Sequence, residues 1–316
     1  MPTPERFVFY LVEDFAHIAF SCAVEPLRLA NREADETLYE WSFASENGET
    51  AVCSAGTVLN VHSSFDAHGR ADRVFVLAGS RMRHHMTKPL FAALRRERSH
   101  GTQIGALCSG AYILAYAGML DGARAAIHWH YHDLFTEEFP EVELVPNVFV
   151  ADQPIITASG GTATADLMLH LIGQTHGAAL ANRVADQMVY NTVRESSANQ
   201  TVSVQSRLGI RNPRLTQAIH CMSENIEEPM ATGDVADEVG ISTRQLERLF
   251  RRHMECSPSK YYLDLRLQKA RNLLLQSESS VTEIAMATGF RSTTHFAKVY
   301  RKSFGVSPNA QRARLT

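Results

Sequence analysis

The chain has 316 residues, of which 45% are hydrophobic and 21% charged, and its formal net charge is −3. One hydrophobic core rarely serves a chain of this length, so we expect a globular protein with two domains. No run approaches the roughly 18 apolar residues of a membrane span, and the first residues lack the pattern of a signal peptide. Five scattered cysteines without Cys-x-x-Cys spacing favour reduced thiols. We therefore expect a cytoplasmic protein without membrane contact.

Short β-rich runs alternate with helical stretches in the first half. Strands are expected at residues 7–12, 41–44, 74–77 and 103–107, and helices at residues 16–31, 89–99, 163–173 and 178–194. This alternation predicts a parallel sheet with helices on both faces. The apolar stripe of the last helix has two interpretations, a dimer surface or packing on its own sheet. It comprises Leu180, Val184, Met188 and Asn191.

A polar stretch without periodicity, residues 195–212, divides the chain, and Pro213 is a favourable first residue for a helix. We place one domain at residues 1–194, a linker at 195–212 and an all-helical domain at 213–316. Charge follows this division. Residues 1–212 hold 16 basic and 23 acidic side chains, net −7, whereas residues 213–316 hold 15 and 11, net +4. Only the second domain is expected to meet a polyanion.

The second domain contains an internal repeat, offset by 49 residues at its glycines and 50 at its Ser-Pro pairs. Each copy has an alanine for a close helix crossing, a glycine for a left-handed helix end and a serine to cap the next helix. These are the parts of a helix-turn-helix unit. A helical bundle with solvated basic faces would explain one copy, but not two with matching positions. The matched residues are Ala236 and Ala285, Gly240 and Gly289, Ser242 and Ser292, and Pro258 and Pro308.

In each copy the helix after the turn has an inner apolar face and an outer polar face. The inner faces comprise Leu246, Leu249 and Phe250 in the first copy and Phe296, Val299 and Tyr300 in the second. The outer side chains are able to donate to base edges and phosphates in a major groove. They are Arg244, Glu247, Arg248 and Arg251 in the first copy and Thr293, Thr294, Lys298 and Arg301 in the second.

Residues 213–316 resemble the AraC/XylS family of bacterial regulators, most clearly at residues 269–271, 289–290 and 304–308. The resemblance implies two helix-turn-helix units, joined by a long helix at about residues 257–276, that enter successive major grooves of duplex DNA. It implies base contacts from Arg244, Glu247, Arg248, Thr293, Thr294 and Lys298. Phosphate contacts, which set register rather than sequence, are implied for Arg251, Arg252, His295, Arg301 and Lys302.

In the first domain, residues 105–111 form a strand-to-helix turn of small residues around Cys108. Such an elbow places a thiol at a helix N-terminus, a position suited to a thiolate or a bound anion. Small residues also allow plain strand–helix packing. Downstream, His128 and Trp129 are candidates to lie near the elbow.

This domain resembles the PfpI-like, class I glutamine amidotransferase-like domain of GlxA-family regulators. The likeness rests on residues 23–31, the Cys108 elbow, residues 114–122, 128–129 and 159–166. It implies a flavodoxin-like α/β sandwich ahead of the all-α domain with its two helix-turn-helix units. The detail is most similar to regulators of glycine betaine, dimethylglycine and carnitine catabolism, including residues 207–209 and 227–229.

Enzymes of the PfpI-like superfamily place a glutamate beside the cysteine, and that position here is Ala19. Without this carboxylate, general acid–base help to Cys108 is hard to assemble, although Glu13 is a substitute to consider. We therefore predict no catalytic residue. Two alternatives stay open: a cysteine-dependent hydrolase or lyase with a DNA-targeting domain, and a redox switch at Cys108.

We expect the elbow to bind an effector. Backbone donors near Ser109 and Ser80 would take a carboxylate, and Trp129, with Tyr112 or Phe15, would face a quaternary ammonium. The alternative has Trp129 in the core. The predicted ligand-binding residues are Cys108, Ser109, His128, Trp129 and Ser80.

The first domain also contains two groups of neighbouring histidines. His128, His130 and His132 would share one face of a strand as metal ligands do, but no fourth ligand of suitable spacing accompanies them. His84 and His85 are interpreted as part of a solvated loop. We predict no metal and no cofactor.

The sequence thus predicts a transcription regulator, expected to be an activator, that responds to a small molecule. The expected partners are promoter DNA, a betaine-like or amino-acid-derived effector, a second copy of the chain in a homodimer, and RNA polymerase.

Overall fold

The computed structural model describes residues 3–200, 212–277 and 279–313. Contacts group the chain into two compact units, Met1–Thr201 and Val202–Thr316. Each unit is described by itself below.

The strands of the first unit are β1 Glu5–Leu11, β2 Tyr39–Ser45, β3 Thr50–Val52, β4 Val58–Asn60, β5 Ser63–Ser64, β6 Arg73–Ala78, β7 Gln103–Cys108, β8 Arg124–Ala125, β9 Glu143–Leu144, β10 Phe149–Val150 and β11 Ile156–Ala158. Seven of them form one sheet in the order β10-β11-β7-β6-β1-β2-β5. All neighbours in it are parallel except β10, which runs antiparallel to β11. Two small pairs, β3 with β4 and β8 with β9, lie outside the sheet.

The helices of this unit are α1 His17–Ala34, α2 Lys88–Ser99, α3 Gly110–Tyr116, α4 His132–Glu138, α5 Ala163–His176 and α6 Ala178–Gln187. They cover both faces of the sheet, which explains why β1 is apolar from Phe7 to Leu11 instead of alternating. Phe7 and Phe9 point to the face packed by α1, α5 and α6, whereas Val8 and Tyr10 point to the face packed by α2, α3 and α4.

The predicted strands at residues 7–12, 41–44, 74–77 and 103–107 correspond to β1, β2, β6 and β7. The prediction of a helix over residues 178–194 is wrong at its C-terminal end, because α6 ends at Gln187 and Val189 has the left-handed φ of +54°. Leu180 and Val184 are buried in the core of their own unit. This burial favours the packing interpretation of the stripe over a dimer surface.

The chain beyond α6 stays attached to the first unit as far as it is described. Tyr190 Oη and the Arg194 guanidinium both donate to the buried Asp166 carboxylate, at 2.9 and 2.8 Å. The Gln200 amide donates to the backbone carbonyls of Ile127 and Asn147, at 2.9 Å each. Residues 195–200, expected in the linker, are thus hydrogen-bonded to the first unit. Residues 201–211, which include part of the predicted linker, lie outside the described residues.

The second unit is entirely helical over its described residues, as predicted. Its helices are α7 Pro213–Glu224, α8 Thr232–Glu238, α9 Thr243–Met254, α10 Pro258–Gln276, α11 Val281–Ala287, α12 Thr293–Phe304 and α13 Pro308–Ala313. They form two small cores, one from α7, α8 and α9 and the other from α11 and α12, and α10 contributes to both. No helix in the described ranges is both long and apolar enough to span a membrane.

Candidate nucleic-acid interface and effector site

The first helix-turn-helix unit consists of α8, a turn at Gly240 and α9. Gly240 has a φ of +65°, which ends α8 in the left-handed conformation expected for glycine. Ser242 and Gln245 form a capping box at the start of α9. Ala236, Leu246 and Phe250 are fully buried. The local geometry is therefore the one that the repeat predicts.

The second helix-turn-helix unit repeats this arrangement with α11 and α12. Gly289 has a φ of +74°, and the Ser292 hydroxyl accepts from the backbone N–H of His295 at 3.3 Å. Ala285, Phe296 and Tyr300 are fully buried. The predicted connecting helix is α10, with Ser257 as its N-cap.

The turn of the second helix-turn-helix unit packs against the loop that precedes α8. A Cβ atom at Gly289 would lie 2.5 Å from Pro229 Cγ and 2.6 Å from the carbonyl oxygen of Ile226. The Arg266 guanidinium donates to the carbonyls of Thr288 and Gly289, at 2.8 and 2.7 Å. The second helix-turn-helix unit therefore contacts both α10 and the loop that precedes α8.

The predicted DNA-contacting side chains lie on the outer faces of α9 and α12. All of them are exposed except Thr293, which is half-buried. Within the described ranges, no ion pair neutralises the cations of this set. Glu247 likewise forms no ion pair with Arg251, one turn away. In α9, one open depression is lined by Ser242, Arg244, Gln245, Glu247, Arg248 and Arg251.

Cys108 forms a strained elbow between β7 and α3. It is a non-glycine residue with a φ of +59° and only 8% exposure. A Cβ at Gly160 would lie 2.9 Å from Cys108 Sγ, so only glycine fits against the thiol. The Ser109 hydroxyl is fully buried and donates to the Gly79 carbonyl at 2.6 Å. This bond ties the loop that carries the exposed Ser80 to the elbow.

The electrostatics of the elbow do not favour a nucleophile. Burial raises the pKa of the Cys108 thiol to about 11, and only the Ser109 backbone N–H opposes this shift. Ala19 is fully buried, and the Glu13 carboxylate accepts from the backbone N–H of Val52 at 3.1 Å. No charged side chain of the described residues contributes to the pKa of the thiol.

His128 and Trp129 begin a short 3-10 helix, Trp129–Tyr131. The Tyr131 ring lies edge-on to the Tyr112 ring, with centroids 6.3 Å apart, so this turn packs beside α3, the helix that follows the elbow. Trp129 is 45% exposed and stacks on the His128 ring at a centroid distance of 5.6 Å. It is therefore not a core residue.

The remaining histidines and aromatic residues differ from the expected arrangement. Phe15 and Tyr112 are fully buried, so neither presents an open ring face with Trp129. His130 and His132 lie in the 3-10 helix and at the start of α4 rather than on a strand. No cluster of potential metal ligands occurs in the described parts of the chain. The interpretation of His85 as solvated loop was wrong, because its Nε2 lies 3.1 Å from an Asp14 carboxylate oxygen.

Sequence reasoning missed Asp14 and Arg81 at this edge of the sheet. They follow β1 and β6, and the Arg81 guanidinium donates to Asp14 at 2.7 Å. Their positions after two adjacent parallel strands are the only signal in the sequence that points to them.

Taken together, the paired turns and exposed cationic helices define a DNA-binding protein of the helix-turn-helix class, with an α/β domain ahead of the DNA reader. Comparison with known proteins agrees. The DJ-1/PfpI family matches residues 5–174, and the family described as a helix-turn-helix domain matches residues 235–314.

Similar proteins extend this match to nearly the whole chain. The HTH-type transcriptional regulator CdhR of Pseudomonas aeruginosa is 40% identical over 98% of this chain and 92% of its own. The regulator GlxA of Rhizobium meliloti is 36% identical over 98% and 96%. A crystal structure of an AraC family regulator from Pseudomonas putida covers 58% of this chain and 100% of its own, with 26% identity and a TM-score of 0.54. The chain belongs to the GlxA-like regulators, which combine a DJ-1/PfpI domain with an AraC-type helix-turn-helix domain.

Proposed function

We propose that this regulator binds promoter DNA through α9 and α12 and controls transcription in response to a small molecule bound at the Cys108 elbow. The observation that carries the DNA-binding part is the pair of exposed helices whose cations have no protein partner among the described residues. Unneutralised Arg and Lys side chains in this arrangement bind phosphates and base edges at little desolvation cost. Such a protein works in the bacterial cytoplasm, where its promoter DNA is.

The effector we propose is a quaternary-amine or amino-acid-derived metabolite such as glycine betaine, dimethylglycine or carnitine. The partly exposed Trp129 supports this class, because an aromatic face attracts a quaternary ammonium. Cys108, Ser109, Ser80 and His128 complete the proposed site. We assign the elbow to binding rather than catalysis, since a neutral thiol without a neighbouring base is a poor nucleophile.

The segment that leads out of the first unit supports a coupling between this site and the DNA reader. Gln200 bonds to the carbonyl of Ile127, the residue directly before His128. Arg194 bonds to Thr162, two residues after the Gly160 that packs on Cys108. An effector that shifts Ile127 or Thr162 would change the hydrogen bonds that hold this segment. It would thereby bias the conformation of the DNA-binding domain. We further propose a homodimer that activates transcription with RNA polymerase, since linked half-sites raise affinity.

DNA binding is tested by selecting ligands from random-sequence duplexes and measuring affinity for the selected duplex by fluorescence anisotropy over a range of salt. Arg248→Ala and Lys298→Ala should each weaken binding by about 1–3 kcal/mol and relax specificity at one position. Lys302→Ala should weaken all duplexes alike and reduce the salt slope by about 1. Arg98→Ala, an exposed arginine of α2, is the control and should change nothing. Binding that ignores salt and all three substitutions contradicts the proposal.

The binding role of the elbow is tested with Cys108→Ala. A sensor should keep an effector-dependent reporter response, because the thiol only lines the site. Loss of a measurable amide or glyoxal turnover in the same variant would instead support the enzyme alternative.

A further inference from the structure

The strand order contains a topological switch between β1 and β6. From β1 the chain continues to β2 on one side, whereas β6, β7 and β11 extend the sheet on the other. In open parallel sheets, ligands bind in the crevice at the carboxyl ends of the two strands that flank such a switch. In this protein the residues directly after β1 and β6 therefore occupy the position where a ligand is expected.

Those residues lie beside the Cys108 elbow and are connected to it by close contacts and a hydrogen bond. Gly79, directly after β6, packs so closely on the Asp14 carbonyl that a Cβ atom would overlap it. The same Gly79 accepts the hydroxyl bond of Ser109, at 2.6 Å. Asp14 itself has a φ of +63°, a conformation that costs free energy for a non-glycine residue and often marks a functional site. The loops of Asp14, Arg81 and Cys108 thus belong to one rigid edge.

Arg81, at this edge of the sheet, is held in one orientation, and part of its guanidinium group stays available for a ligand. Arg81 Nη2 donates to Asp14 Oδ1 at 2.7 Å, and His85 Nε2 lies 3.1 Å from the other carboxylate oxygen. Burial would raise the pKa of Asp14, but the hydrogen bonds from Arg81 and His85 hold it below its usual range. The Arg81 side chain is 47% exposed, and within the described ranges it forms no other hydrogen bond. Its remaining N–H groups are therefore available to a ligand.

We propose that Arg81 binds the carboxylate of the effector, and that Asp14 and His85 are positioning residues that fix its guanidinium. The ligand class is a small zwitterion whose carboxylate meets the planar fork of Arg81, which is suited to bidentate carboxylate binding. This inference rests on the proposed function, because it assigns a further residue of the same effector site.

The test is isothermal titration calorimetry on the full chain with glycine betaine, dimethylglycine and carnitine, and with choline as a probe that has the quaternary ammonium but no carboxylate. Arg81→Gln should weaken binding of the carboxylate probes by about 10- to 100-fold, the range for hydrogen bonds to a charged group. The affinity for choline should be the same in Arg81→Gln as in the wild type. Arg6→Gln is the matched control, since Arg6 is equally exposed, pairs with Glu40 at 3.2 Å and lies at the opposite end of β1.

Two further variants separate contact from folding. Arg81→Lys keeps the charge without the planar fork and should bind the carboxylate probes with intermediate affinity. Asp14→Asn should weaken those probes but not choline, which a general loss of structure would not do. Wild-type affinity for the carboxylate probes in Arg81→Gln, or in Arg81→Lys if the first variant does not fold, overturns the assignment of Arg81 alone. If the wild type binds none of the carboxylate probes, both this assignment and the proposed effector class are overturned.

Discussion

Replacing Gly289 by alanine tests whether the two helix-turn-helix units are locked together, and Gly240→Ala is its matched control. Both glycines end the first helix of a unit in the left-handed conformation, with φ of +74° and +65°. Alanine in that conformation costs about 1–2 kcal/mol at either position. At Gly240 the nearest neighbour of a new Cβ is Arg214 Nη1, at 3.4 Å, which is close to an ordinary van der Waals distance. Only the conformational cost is therefore expected there.

At Gly289 the new methyl group meets rigid atoms, Pro229 Cγ at 2.5 Å and the Ile226 carbonyl at 2.6 Å. Overpacking of this kind costs about 1–3 kcal/mol more. We expect Gly289→Ala to destabilise the helix-turn-helix domain by about 2–5 kcal/mol, against about 1–2 kcal/mol for Gly240→Ala. Because the displaced loop precedes α8, the spacing of α9 and α12 should also change.

The assay is hydrogen exchange on the full chain, read by mass spectrometry as the free energy of opening of peptides from α11 and α12. Affinity for the selected duplex is measured in parallel, and should fall further for Gly289→Ala than for Gly240→Ala. Equal effects of the two substitutions on both measurements would refute the contact between the loop and the second turn.

Three further predictions concern the first unit. Asp166→Ala should destabilise it by about 3–5 kcal/mol in chemical denaturation, because it leaves a buried charge network without its carboxylate; Asp152→Ala, on an exposed ion pair, should cost less than about 1 kcal/mol. Burial lowers the pKa of His128 to about 4, below the usual 6.5. The folded state therefore loses stability, by up to about 3 kcal/mol, as pH falls from about 6.5 towards 4. A stability–pH curve that is unchanged in His128→Asn would contradict this reasoning. Cys108, whose pKa is raised to about 11, should react with iodoacetamide at pH 8 more slowly than the half-buried Cys256, and faster labelling of Cys108 by mass spectrometry would argue for an activated thiol.

Much of the DNA-binding unit was predictable from the sequence, because its features are local. A helix end at Gly240 or Gly289 depends on the φ of one residue, and a cap at Ser242 on a bond to a residue three positions away. The apolar spacing of Leu246 and Phe250 sets the buried face of α9. Such signals need no knowledge of the rest of the chain. The central strands were predictable for the same reason, since burial on both faces requires a continuous apolar run.

What the sequence did not show depends on residues far apart along the chain. Strands of two or three residues, such as Phe149–Val150 and Ile156–Ala158, are too short to display a period of two, and they exist because they pair with each other or with β7. The early end of α6 reflects the bonds that Tyr190 and Arg194 make to Asp166, 24 and 28 residues away.

The residues of the proposed DNA-binding and effector sites also fall into these two groups, local features and long-range contacts. The duplicated helix-turn-helix units and the cysteine elbow are predictable from the residues alone, because turn chemistry and helical periodicity act within a few residues. The contacts of Asp14 with Arg81 and His85, 67 and 71 residues further along the chain, and the contact of Gly289 with Pro229 arise from packing. Contacts of this range form only when whole elements pack, so their geometry is set by the sheet and the helix crossings rather than by any local pattern.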